Sequence, residues 1–82
     1  MLEADGLIFW FHSYDAIHGS RASVHVGKGT QDDVNDAKIW LEPEIEVERE
    51  GRTLKPKDLR KALRVIADHH DYLLEEWRGY GR

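Results

Sequence analysis

Five histidines give this 82-residue chain its widest chemical reach. An imidazole titrates near neutrality, so it can move protons, and in its neutral form it ligates metals. His69 and His70 are adjacent within DHHDYLLEEW (68–77), between Asp68 and Asp71. On a helix, neighbouring side chains diverge by about 100°, so these two rings cannot hold one metal together. Helical zinc sites use i and i+4, as in H-E-x-x-H, and that spacing is missing. His70 points within about 20° of the centre of an apolar stripe, between Ile66 and Trp77, and reads as a core-edge histidine satisfied by one hydrogen bond. His69 falls at the edge of that stripe, where a ring can reach a groove between helix and sheet.

Further upstream, His12 and Tyr14 share a strand face with Ile8 and Trp10, and Asp15 follows directly. His25 lies on the face of SVHV (23–26) away from Val24 and Val26. Pairing of those two strands brings His12 toward His25; otherwise His12 and His18 read as solvent-exposed. The catalytic candidates are therefore His25 and His69, with Tyr14 or Asp15 nearby, and the chemistry is proton transfer in a nuclease-like or other hydrolysis. In that scheme Lys57, Arg60, Lys61 and Arg64 contact phosphates; Lys57, Lys61 and Arg64 follow i+4 and i+3 steps and form one stripe. Gly27-Lys28-Gly29 lacks the Walker spacing and reads as a glycine-flanked loop. The serines have no nucleophile-elbow context, and the glutamates read as a solvated strand face. No cofactor and no metal is expected.

The elements that must position these residues follow from periodicity. LIFWFHSY (7–14) is aromatic and branched, a buried strand. SVHV (23–26) and AKIWL (37–41) alternate, the latter with Ala37, Ile39 and Leu41 opposite Lys38 and Trp40. EIEVER (44–49) alternates strictly, turning Ile45 and Val47 inward and its glutamates outward. Between them, DAIHGSRA (15–22) and GKGTQDDVND (27–36) are loops. From Pro56 to about Arg78 the period becomes 3.6: Leu59, Leu63, Ile66, Leu73 and Trp77 recur at three- and four-residue steps. Pro56 suits a first helical turn, Asp58 complements its dipole, and Gly79 ends it. The expected fold class is α+β, a small antiparallel sheet of about four strands (7–14, 23–26, 37–41, 44–49) with one long C-terminal helix (about 56–78) on one face. It forms a single domain, residues 1–82.

Composition narrows the function classes. Hydrophobic residues make up 40% and charged residues 34%, an ordinary soluble balance. Without cysteine, disulfides and Cys-type zinc sites are excluded, which is compatible with a cytoplasmic location. MLEADGLIFWFHSY has no basic leader pattern, and Leu7 to Phe11 is far shorter than the ~20 residues of a membrane span. The net charge of −4 gives no global attraction for nucleic acid. Charge is segregated, however: Glu42, Glu44, Glu46, Glu48 and Glu50 precede Arg52, Lys55, Lys57, Arg60, Lys61 and Arg64.

DGLIFWFHSYD (5–15), SVHVGKG (23–29), AKIWLEP (37–43) and LKPKDLRKALRVIADHHDYLLEEW (54–77), taken in order, resemble a small bacterial family known as domain of unknown function 4160. Family members typically carry Pro-Pro-His-x-His on the second strand. Here the stretch is Arg21-Ala22-Ser23-Val24-His25, so only the second histidine is kept, and Gln31 to Asp36 look like an insertion beside it. The resemblance also implies a histidine at the place of His69 and an Arg-like residue at that of His70, which favours His69 as the position with a role. Such proteins are similar to toxin–antitoxin-like genes in being small and often encoded beside another small protein, so a partner protein is implied and no activity is.

Two functions emerge. The preferred one is a protein-interaction module that docks a small partner through its sheet edge and charged helix, with Trp40, Lys38, Lys57, Arg60, Lys61 and Arg64 as binding residues; association with its own copies is compatible with so small a core. The alternative is the hydrolytic enzyme, or a nucleic-acid binder, built on His25, His69 and the basic helix face.

Overall fold

The computed structural model describes residues 2–4, 6–12, 21–29 and 35–80. Five strands form one antiparallel sheet in sequential order: β1 (Leu2–Ala4), β2 (Leu7–Trp10), β3 (Ser23–Gly27), β4 (Ala37–Trp40) and β5 (Glu46–Arg49). Two helices follow, α1 (Pro56–Asp68) and α2 (His70–Tyr80). The α+β class is as expected, with one more strand and one more helix than periodicity indicates.

The additional strand is β1. Ala4 pairs with Leu7 and Leu2 with Phe9, and Gly6 adopts φ +80° ahead of Leu7. Asp-Gly is a strong signal for such a hairpin because the tight turn needs positive φ, which glycine adopts without Cβ strain. Three residues are too few for alternation to show. Strand β2 ends at Trp10 rather than running to residue 14, and Tyr14, Asp15 and His18 lie outside the described residues.

Register decides which side chains meet. Phe9 pairs with Val26 and Val24 with Ile39, and all four join Leu7, Phe11, Ala22, Ala37 and Leu41 in a buried core. Onto it pack Ala62, Val65 and Ile66 of α1 and Leu73 and Trp77 of α2; the Phe11 and Trp77 rings meet edge-on at 5.5 Å. Leu59, Leu63 and Leu74 are half-buried along its margin. Burial of these apolar side chains, about 1.5–3 kcal/mol each, drives the helices onto this face.

The helical segment is divided at His69, which has φ −116° and ψ 21°. Its backbone N–H and its ring Nδ1 both reach the Val65 carbonyl at 3.0 Å, so that oxygen takes a second donor. One residue on, His70 Nε2 donates to the Leu41 carbonyl at 2.6 Å, anchoring the start of α2 to the end of β4. His70 is thus the half-buried, singly bonded histidine its stripe position indicates. Gly79 does not stop the helix; α2 runs on to Tyr80.

The start of α1 is well specified. Lys55 is extended (φ −81°, ψ 163°), as a residue before proline must be, and Pro56 opens the helix. Asp58 accepts from the Lys55 backbone N–H and from Lys28 Nζ, each at 3.2 Å. The Lys55 backbone bond, then Lys28, hold its carboxyl below the ordinary value against the cost of burial, with Lys61 adding a smaller pull. The lysine of Gly27-Lys28-Gly29 therefore ties the β3 end to the helix start. Beside it, the Asp36 side chain is fully buried against Gly27, and Gly51 (φ +71°) lets the Asn35 carbonyl receive the Arg52 and Thr53 amides at 2.6 and 3.1 Å.

Candidate functional site

Alternation sends one set of residues into the helix-covered core and the other set to the opposite face. Trp10 pairs with His25, His25 with Lys38, and Ser23 with Trp40, so all five side chains project from that second face. Trp10, Ser23 and His25 form its floor, each no more than 5% exposed. His12, Arg21, Lys38 and Trp40 are half-buried around them.

The rings interlock. Trp10 and His25 stack with centroids 5.8 Å apart and planes 24° from parallel. The His12 ring also lies 5.8 Å from His25, tilted by 40°; His12 is therefore drawn in beside His25 rather than fully exposed, as strand pairing indicates. The Arg21 guanidinium sits 4.3 Å, and Lys38 Nζ 4.9 Å, from the Trp40 ring centre, both in cation–π range. Arg21 is further held by Nε donating to the Glu42 carbonyl at 2.7 Å and by Glu46 at 3.2 Å. Ser23 Oγ is buried and has no hydrogen-bond partner among the described residues.

His69 is elsewhere. It stands in the helical layer, exposed, with its ring turned back on Val65, while His25 faces away from the helices across the sheet. The two therefore do not converge on one spot; the imidazole brought to His25 is His12. No group of three histidine or carboxylate side chains suited to a metal occurs among the described residues.

The third set of candidates lies on α1. Lys57, Arg60, Lys61 and Arg64 are all exposed, opposite the buried Ala62, Val65 and Ile66. Among the described residues no ion pair ties these four down. On α2 the exposed residues include Asp71, Glu75 and Glu76 beside Tyr72 and Arg78, and along the β5 edge Glu44, Glu46, Glu48 and Glu50 are exposed with Arg49. A hollow of about 620 Å³ is lined by Tyr72, Glu75, Glu76, Arg78 and Gly79, and another of about 380 Å³ by the β1–β2 hairpin with Gly29. Neither hollow gathers histidines. Among the described residues no helix is long and apolar enough to cross a membrane.

The α1 cations, the shared face of Ser23 and His25, and that of Lys38 and Trp40 are legible in the sequence, whereas Arg21 and Trp10 are not picked out as companions of the sheet residues. Parity would have found them, since residues 21, 23 and 25 alternate with Ala22 and Val24. The burial of Asp36 had no such signal. No curated protein and no solved structure matches the chain. The sequence pattern of one family, described as domain of unknown function (DUF4160), matches residues 6–78, spanning four of the five strands and all but the end of α2. With that much of its length accounted for, the chain belongs to the DUF4160 family.

Proposed function

We propose that this protein is an interaction module that grips an acidic surface on a small partner protein encoded nearby, in the manner of toxin–antitoxin pairs, with the outer face of α1 as the contact. One observation carries the reading: four exposed cations, Lys57, Arg60, Lys61 and Arg64, share one short helix with no ion pair among the described residues, on a chain of net charge −4. A fixed cationic face on an acidic protein selects acidic partners and repels further copies of its own cationic face. The helix is rigid because its inner face is part of the core, so its cations are presented at a set spacing. Lys38 and Trp40 belong to the other side of the sheet and serve a different contact.

The test is co-expression with the product of the adjacent gene, followed by purification and calorimetry. The complex should form, weaken with added salt, and be lost when Lys57, Arg60, Lys61 and Arg64 are all changed to Glu. Recovery of the chain as a free monomer in the presence of that product would overturn the proposal. So would a homodimer docked through the acidic β5 edge of a second copy.

The hydrolytic alternative depends on His25 and His69 working together, and their places on opposite sides of the sheet give it no shared site.

A further inference from the structure

We infer that the sheet face opposite the helices is a second, separate binding site, one that takes a phosphate oxyanion at Ser23. Three observations converge on this. The Ser23 hydroxyl is buried, in a residue only 1% exposed, and no protein group hydrogen-bonds it among the described residues. A buried hydroxyl without a partner is costly, so such an atom in a folded protein marks a place that something else completes. Around it stand groups that can donate: the His25 ring two residues along the same strand face, the His12 ring 5.8 Å from His25, and the Arg21 guanidinium above Trp40, the cross-strand neighbour of Ser23.

The sign of the ligand follows from charge. Lys38 is the cross-strand neighbour of His25, and both it and Arg21 are packed on Trp40, so a metal cation entering here meets two fixed positive groups. Among the described residues Glu3, Asp36 and Glu46 lie on this face, and none is the cross-strand partner of Ser23. Glu46 is engaged by Arg21, and Asp36 packs on Gly27, four residues and about 13 Å along the strand from Ser23. An oxyanion instead receives a hydroxyl hydrogen bond and charge-assisted ones from the cationic rim. Trp40, half-exposed at that rim, offers an indole edge to whatever group the phosphate carries. The phosphate can therefore be free or part of a single-stranded nucleic acid, in which a base packs against the exposed part of that ring.

The experiment titrates inorganic phosphate and, separately, a short oligouridylate into the intact protein, read by backbone amide shifts and tryptophan fluorescence. Shifts at Ser23 and His25 that saturate in the millimolar range or below are expected for at least one of the two. Saturation with phosphate alone identifies the free ion as the ligand, and saturation with the oligomer alone identifies the nucleic-acid backbone. Ser23→Ala should weaken the saturating ligand about tenfold, the worth of one hydrogen bond to a charged group, while the free variant stays folded and melts higher than the parent. Arg21→Gln should weaken it also, without change in the amide pattern of the core. The inference is overturned if neither titrant shifts Ser23, if Ser23→Ala binds as tightly as the parent, or if zinc saturates these residues and phosphate does not.

Discussion

Gly27→Ala is a one-carbon change whose cost can be worked from the structure. The added Cβ would lie 2.7 Å from Asp36 Cγ and 2.8 Å from Oδ1, with Oδ2 nearer still. Real Cβ atoms do not approach so closely, so the carboxylate must move. Asp36 is fully buried and cannot swing into water without carrying its backbone along. Overpacking costs about 1–3 kcal/mol, and pulling a buried polar group off its partners costs about 1–3 kcal/mol more. Against this, replacing glycine within a strand gains about 0.5–1 kcal/mol of backbone entropy. The steric cost wins, by ~3 kcal/mol. For a chain of this size, where each kcal/mol moves Tm by about 4–8 °C, the fall is about 12–24 °C. Thermal melts followed by far-UV circular dichroism read it directly. Asp36→Ala removes the obstructing atoms, so Gly27→Ala should cost far less in that background, and the double-mutant cycle should show the difference as coupling. A single variant that melts within about 2 °C of the parent would refute the packing argument, because no steric contact at that distance is so mild.

His70→Phe keeps the ring volume but leaves the Leu41 carbonyl without its donor, and should cost about 1–3 kcal/mol in urea unfolding, with His70→Gln recovering part of it. Leu73→Ala, at a fully buried site on α2, should cost about 2–5 kcal/mol, whereas Leu74→Ala at the margin should cost clearly less. For Asp58 the pH dependence has a definite sign. Its folded carboxyl titrates below the ordinary value of about 3.9, so its contribution is complete above that value and is lost as the pH falls through the folded value. Asp58→Asn should therefore be less stable than the parent at neutral pH, and the gap should close as the pH drops below about 4.

Much of this arrangement is legible in the chain alone. SVHV and AKIWL alternate so cleanly that their two faces, Val24, Val26, Ala37 and Ile39 against Ser23, His25, Lys38 and Trp40, separate as parity requires. The apolar stripe from Leu59 to Trp77 likewise finds the sheet, because its apolar area has no other cover. What parity and period cannot carry is a contact between distant segments. The bond from His70 to Leu41 spans 29 residues, and nothing in DHHD announces it or the division of the helix at His69. The placement of His69 shows the same gap: a helical angle locates a ring around its own axis and not across a sheet. Asp36 reads as a loop residue; the close approach of Gly27 and Gly51 to it, from positions far apart in sequence, has no local signal.

The two proposed binding surfaces lie on opposite sides of one sheet. Amide-shift mapping with both ligands in turn tests this most directly. The co-expressed partner should perturb Lys57, Arg60, Lys61 and Arg64 and leave Ser23 and His25 in place, and the phosphate ligand should do the reverse. A single overlapping set of shifted residues, or a partner whose footprint centres on β3, would contradict it.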